Sequence, residues 1–575
     1  MFRQEAINAK KWKSTVILIS TIPGWIVFTI SLFLIISFIL FETLKHISGI
    51  KGALIKIFSL SALIELIGLL MPIGTQLVMD HVILAKDQSL LLIICIVLFF
   101  FTFFNSAVSM FRAWISLKMS YYINFQWTAS FFSHLLRVPL EFFKKRQVGD
   151  ISSRFSSLST IQKTLTSSIV STIIDTIMTF CLIVMMILYG GWLFWVVLGF
   201  SILYLLLRIV TYWTYRQISE EQIIKGAKAQ SHFMETLYGI ATLKSLGITQ
   251  KREEQWMSLN ADSFNTGIKI TKLDMLFGGI HTFISTLEQI SILWIGASLV
   301  IDNTMTLGMF VAFNSYRGSF SSRVGNLINI FFSLKILSLH RERIADIALN
   351  EVEEEKSLHS TLKNINGGKF SIEDLSYQYD QFSKKIFSSL NLDIQSGESV
   401  AIVAPSGFGK TTLLKLMAGF LKPTSGKIYF NHMDINQIGL NSYRKYIACV
   451  LQDDKFFSGS ILENIMSFES DYDLEFAIEC AKIANIHDEI MAMPMNYETL
   501  LGELGNSLSG GQKQRALYKK PRVLFMDEAT SHLDENNEKL INEAISKLNM
   551  TRIIIAHRQS TIMSADRVID LERLS

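Results

Sequence analysis

The chain has 575 residues, room for several domains of ~100 to 200 residues each, which excludes a single small binding module. Half of its residues are hydrophobic, only 18% are charged and the mean hydropathy is +0.33, whereas a soluble domain carries about 25% charged residues; this is the composition of a membrane protein. Lys and Arg number 54 against 50 Asp and Glu, and the resulting charge of +4 is too slight for a nucleic-acid partner. Cys95, Cys181, Cys449 and Cys480 lack the CxxC spacing of thiol or zinc chemistry and are expected to be buried and reduced.

At the N-terminus, Lys10, Lys11 and Lys13 precede an apolar run over residues 14–41. It is longer than a signal-peptide core and has no A-x-A cleavage site, so an uncleaved anchor is expected. Six further runs, each long enough to span a bilayer at roughly 20 residues, centre on 57–79, 89–111, 168–189, 192–211, 276–301 and 306–331. The gaps 112–167 and 212–275 are long, polar and of helical periodicity, which predicts spans prolonged well beyond the bilayer on one side. Lys144, Lys145, Arg146, Arg154, Lys225, Lys228, Lys251 and Arg252 lie in these gaps and assign that side to the cytoplasm, although each also fits a solvated helix face. Glu65, His281, Arg317 and Arg323 inside the runs are costly in lipid and either line a pathway or form internal salt bridges.

The apolar runs stop near residue 337, and the acidic stretch NEVEEEKS at 350–357 marks the passage to a soluble half. There, SVAIVAPSGFGKTTLLKLMAGF from 399 has the strand, small-residue loop and helix that a phosphate loop requires. Backbone N–H groups from Ser406 through Gly407 to Gly409 and the helix N-terminus with Thr412 would cradle phosphates. Lys410 would reach the β and γ phosphates, and the Thr411 hydroxyl would bind magnesium. A second apolar strand, VLFMDEAT at 523–530, supplies Asp527 for the magnesium shell and Glu528 to polarise the attacking water. Two halves of one site in one domain make coincidence improbable.

Four further pieces fit the same ligand. LSGGQ at 508–512 opens a helix whose Ser509, Gly510, Gly511 and Gln512 can approach a phosphate of another subunit's nucleotide. Gln452, after the strand IACVL, is placed to contact magnesium and water, and His557, after RIIIA, to sense a γ phosphate. Tyr379 either stacks on adenine or packs in the core.

SVAIVAPSGFGKTT, LQ at 451–452, LSGGQKQR, LFMDEATSHLD and AHR together resemble the ATP-binding cassette of ABC transporters. Glu503 in GELGNSLSGGQ and the extended spans resemble exporters rather than importers. PIGTQLVMDHVI, HLLRVPLEFFKKRQVGDISSRF, YGIATLKSLG, MTLGMFVAFNSYRGSFSSRV and LSLHRERIADI resemble bacteriocin exporters of the colicin V secretion type. The resemblance implies an exporter-type membrane α-helical bundle, six spans plus the extra N-terminal segment, followed by an α/β P-loop ATP-binding domain. The expected boundaries are an adaptor-like anchor over 1–45, the membrane domain over 52–337, a linker over 338–367 and the ATP-binding domain over 368–575. It implies a homodimer using ATP and Mg2+ in a bacterial inner membrane. The implied cargo is a small antibacterial peptide, with a periplasmic adaptor and an outer-membrane channel as partners besides membrane lipid. A hydrolysis-defective remnant or scaffold, or a multidrug or lipid exporter, are the alternatives.

The sequence departs from this family in three places, and its N-terminal charges conflict with the expected topology. The family usually begins with a papain-like peptidase, yet no Cys precedes Cys95, so no leader cleavage is expected; residues 1–28 instead resemble the membrane anchor of the adaptor. Ala404 stands where the phosphate loop normally has its first glycine, which would cost about 1–2 kcal/mol if that position needs positive φ. Between Arg515 and Ala516 about five residues are missing, a loss that turns a helix by about 140° and shortens it by ~7.5 Å. Finally, a cytoplasmic cassette behind six spans places Lys45, Lys51 and Lys56 inside, so a seventh span over 14–41 would put Lys10, Lys11 and Lys13 outside. An interfacial or re-entrant segment bending at Pro23 and Gly24 is modestly preferred.

Overall fold

The structure is a computed structural model that describes residues 50–353, 368–380, 382–451, 456–468, 474–501, 521–527, 543, 544, 546, 550–556 and 558–573. The N-terminal run, residues 354–367 of the expected linker and the shortened stretch around Arg515 lie outside these residues. The chain divides into two compact units, one of residues 1–138 and 145–350, the other of residues 139–144 and 351–575.

Among the described residues, six long helices make the first unit: α1 (Ile50–Leu77), α2 (Gln88–Leu136), α3 (Val148–Gly190), α4 (Leu193–Tyr238), α5 (Thr249–Ile301) and α6 (Leu307–Ala348). From α2 to α6 they run 42 to 53 residues. At 1.5 Å per residue that is about 63–80 Å, at least twice a bilayer's ~30 Å hydrocarbon core, so the long polar gaps are helical extensions of the spans. Among the described residues five helices, all but α6, are long and apolar enough to cross a membrane. The sixth falls short by composition, since Arg317, Arg323 and several Ser and Asn residues interrupt its apolar run, while Phe313, Tyr316, Phe320, Val324 and Ile328 are buried in the bundle core. It packs along α3, while α4 packs along α5 and α1 along α2.

Helix ends carry explicit caps. Asp87 accepts hydrogen bonds from the backbone N–H groups of Ser89 and Leu90 at 3.0 Å and so starts α2. Next to α1, Val78–Val82 widens into a π-helical turn containing Asp80. The Asp80 carboxylate accepts from Thr306 Oγ1 at 2.7 Å and from the Gly308 N–H at 2.8 Å, capping the start of α6.

The second unit is an α/β domain. An antiparallel sheet has the order β2-β1-β4-β5, from β1 (Phe370–Tyr377), β2 (Phe387–Ile394), β4 (Ser425–Phe430) and β5 (Met433–Asp434). A parallel sheet has the order β11-β3-β10-β9-β6, from β3 (Ser399–Val403), β6 (Ile447–Val450), β9 (Val523–Asp527), β10 (Thr551–Ile555) and β11 (Arg567–Asp570), and a separate antiparallel pair joins β7 (Gly459–Ser460) to β8 (Leu500–Leu501). Strands β3, β9 and β10 are almost entirely buried apolar runs, as parallel strands covered on both faces must be. In register, Ile555 of β10 faces Ile402 of β3 on one side and Asp527 of β9 on the other. The carboxyl ends of three neighbouring strands therefore meet at one edge, where ligands bind in such sheets.

All four cysteines are free thiols, but only Cys480 is buried; Cys181 and Cys449 are half-buried and Cys95 is exposed. The expectation of four buried thiols fails at Cys95 because it lies on the outward apolar surface of α2, which a spanning helix turns to lipid.

Candidate nucleotide site and membrane ion pairs

Strand β3 ends at Val403, and the chain turns through Ala404, Pro405 and Ser406 into α7 (Lys410–Met417). Two glycines make the turn possible: Gly407 has φ +81° and Gly409 has φ +96°, in the region L side chains rarely adopt. At Gly409 there is also no room, because a Cβ would come within 2.5 Å of Ile386 Cγ2. Ala404 is absent from the positive-φ residues, so the missing first glycine brings no backbone strain.

Lys410 is buried, 7% exposed, and its Nζ donates to the carbonyls of Ala404 at 2.7 Å and Pro405 at 3.2 Å. The ammonium thus holds the loop closed on itself, and among the described residues it has no ion-pair partner. Next to it, Thr411 Oγ1 donates to Asp527 Oδ1 at 3.1 Å, joining the start of α7 to the end of β9. Thr412 is turned inward and shares a hydrogen bond of 2.9 Å with the Tyr379 hydroxyl. The Tyr379 ring stays 39% exposed and meets Tyr377 edge-on at 5.2 Å. Burial pushes the Tyr377 phenol well above its ordinary pKa, so it is neutral packing around the loop.

The structure thus gathers Tyr379, Ser406, Gly407, Gly409, Lys410, Thr411, Thr412 and Asp527 at one sheet edge. Gln452, Ser509, Gly510, Gly511, Gln512, Glu528 and His557 lie outside the described residues.

Of the four charged or titratable residues singled out inside the apolar runs, all but His281 are ion-paired. Arg323 reaches Glu65 at 2.6 Å and Asp175 at 2.8 Å, and Arg317 reaches Glu288 at 3.0 Å. His281 stands edge-on to Tyr204, ring centroids 4.6 Å apart. Asp175 and Glu288 are the two partners that sequence reasoning missed. The signal was present, since each is a lone acid in an apolar run.

A bundle of long membrane helices followed by a phosphate-loop α/β domain is the build of an ATP-binding cassette transporter. The ABC transporter transmembrane region family matches residues 54–324, and the ABC transporter family matches residues 387–531. The chain is 54% identical, over 92% of its own length and 76% of theirs, to two Escherichia coli proteins. One is described as a probable microcin-H47 secretion/processing ATP-binding protein and the other as a colicin V secretion/processing ATP-binding protein. A leukotoxin export ATP-binding protein of Aggregatibacter actinomycetemcomitans is 31% identical over 90% of this chain and 74% of its own. In fold, a bacterial Atm1-family ABC exporter solved with ATP bound superposes with a TM-score of 0.82 at 22% identity, covering 91% of this chain and 94% of that one. The chain belongs to the ABC exporters of the colicin V and microcin-H47 secretion type: a multi-pass membrane protein whose second unit is an ABC ATPase domain.

Proposed function

We propose that this chain exports a small antibacterial peptide of the colicin V or microcin kind across the bacterial inner membrane, driven by ATP hydrolysis. The observation that carries this reading is the 54% identity over 92% of the chain to secretion proteins for such peptides. A phosphate loop that turns on two positive-φ glycines, is closed by Lys410 on its own carbonyls and is tied by Thr411 to Asp527 supports the driving reaction.

In this reading the backbone N–H groups from Ser406 to Gly409, the start of α7 with Thr412, and Lys410 hold the triphosphate of ATP, and the exposed Tyr379 ring takes the adenine. Lys410 exchanges its two carbonyl partners for phosphate oxygens, a substitution of weak dipoles by full charges. The Thr411 hydroxyl and Asp527 carboxylate are hard oxygen donors of the kind Mg2+ takes, with Gln452 as a third. When bound, Mg2+ neutralises charge on the phosphates. Glu528 polarises the attacking water and His557 senses the γ phosphate. Ser509, Gly510, Gly511 and Gln512 complete the site of a second copy, so the working form is a homodimer. A periplasmic adaptor and an outer-membrane channel carry the cargo onward.

The test is Glu528→Gln in the purified protein: ATP binding is retained while hydrolysis falls to background, because the group that orients water is lost and the phosphate clamp is spared. Unchanged turnover in the variant refutes the site. The stretch shortened after Arg515 favours one other reading, a nucleotide-binding remnant with a scaffolding role. Unmutated protein that binds ATP without turning it over would establish the remnant instead.

A further inference from the structure

We propose that the cytoplasmic end of the pair α1 and α2 carries a site for the phosphate of an anionic phospholipid, held by Lys56 and Lys118 with Trp114 and Tyr122 beside them. The inference goes beyond the export reading and does not depend on what is transported.

The two helices run antiparallel in contact. Gly74 stands against Leu98, Ser61 Oγ accepts a hydrogen bond of 3.3 Å from Arg112, and Ile57 packs with Met119 and Ile123. Lys56 and Lys118 each come one residue before an interface residue, Ile57 and Met119, and Trp114 and Tyr122 stand in the same way before Ile115 and Ile123. In an antiparallel pair a step of about 100° back along either helix leads to the same side, so all four residues share it. The opposite side is covered by α3, where Ser120 donates to Thr166 at 3.2 Å and Gln162 donates to the Asn124 carbonyl at 3.3 Å. On the open side Lys56 and Lys118 are exposed, as are Trp114 and Tyr122, to 54% and 48%.

Depth puts these residues at a headgroup. From the start of α2 at Gln88, Lys118 lies about 45 Å along the helix axis, and a bilayer with its headgroups is ~40–45 Å thick. Lys118, and Lys56 level with it, therefore reach the phosphate layer of the leaflet that the basic gaps assign to the cytoplasm. Trp and Tyr belong to that layer, and the Lys118 ammonium stands 5.0 Å from the centre of the Trp114 ring. Toward the bilayer centre the same side of α2 continues with Met110 and Phe103, 78% and 68% exposed, which give an acyl chain an apolar track.

Charge selects the ligand. Helix α2 contains no Asp or Glu, and the one acid of α1, Glu65, is taken by Arg323. Among the described residues neither Lys56 nor Lys118 has an ion-pair partner. Two uncancelled ammonium groups on one side and at one level suit a phosphodiester, whose oxygens accept from both. A zwitterionic headgroup brings its own cation and gains less.

The test uses the full chain in detergent micelles, titrated with phosphatidylglycerol or with phosphatidylcholine of the same acyl chains, bound lipid being counted by native mass spectrometry. Each lysine at such a surface is worth about fivefold in binding, so phosphatidylglycerol should be retained at least fivefold better than phosphatidylcholine. Lys56→Gln and Lys118→Gln should each cost most of one such factor, and the double variant should bind both lipids alike. Lys118→Arg should keep the preference, as should Lys86→Gln at the opposite end of the pair, and the melting temperature should stay put in all of them. Equal retention of the two lipids by the unmutated protein, or an undiminished preference in the double variant, overturns the site. So does an equal loss in Lys86→Gln, which would make the effect one of overall charge. Displacement of phosphatidylglycerol by equimolar inorganic phosphate overturns it because the ligand would then be the free ion. Dissociation of a dimer by Lys56→Gln or Lys118→Gln overturns it because the face would be a contact between copies. Each of these outcomes leaves peptide export standing.

Discussion

The two units bury charge in opposite ways. In the membrane unit Arg317 and Arg323 are answered by Glu288, Glu65 and Asp175 on neighbouring helices, so each cation is cancelled where it stands. In the ATP-binding unit Lys410 is as deeply buried, yet among the described residues it meets only backbone carbonyls. A cancelled charge holds helices together and offers an ion no net attraction; a cation held by dipoles alone keeps its attraction for an anion. The same side-chain chemistry thus serves packing in one unit and recognition in the other, and the partner decides which.

Removing a partner should break this contrast most visibly in the membrane unit. Glu288→Gln strands the Arg317 guanidinium and should lower stability by about 3–5 kcal/mol, measured by denaturant unfolding of helical signal in detergent. The double change Arg317→Met with Glu288→Leu should recover most of that loss, and a double variant no more stable than the single would mean that Arg317 was never dependent on Glu288. In the ATP-binding unit the equivalent sensitivity lies in the backbone. Gly409→Ala forces a Cβ onto Ile386 at φ +96° and should cost about 1–2 kcal/mol together with ATP affinity. Ala404→Gly, five residues earlier, should cost less than about 1 kcal/mol and leave ATP affinity unchanged, since Ala404 has ordinary φ. Isothermal titration with ATP on both variants checks the pair. A similarly small effect is expected for Tyr379→Phe, which removes only the hydroxyl shared with Thr412, a loss of about 0.5–1.5 kcal/mol in stability with ATP affinity within twofold.

How far the sequence carries the reader depends on separation along the chain. The phosphate loop was legible because its strand, glycines and helix are contiguous, and Asp527 because β9 ends in a carboxylate after an apolar run. The long helices were legible from periodicity. The ion pairs were not, because Arg323 finds Glu65 258 residues away and Asp175 148 away, distances over which only the folded bundle decides who meets whom. The cost of Ala404 was also illegible, since glycine in a motif does not say which of its positions the backbone requires. The polarity of α6 was visible residue by residue, but which side of the helix it occupied awaited the packing of Phe313, Tyr316 and Phe320.

The π-helical turn at Val78–Val82 makes the Asp80 contact depend on residue count as well as residue identity. A π turn accommodates one more residue than an α turn would, and at about 100° per residue that extra member sets the azimuth of everything after it. Shortening the segment by a single residue would restore a regular helix while swinging the carboxylate away from Thr306 and Gly308, with the chemistry of every remaining side chain intact. A deletion there is therefore a change of phase, and the clasp between the two helix ends behaves like a tooth in a gear that meshes only at one rotation.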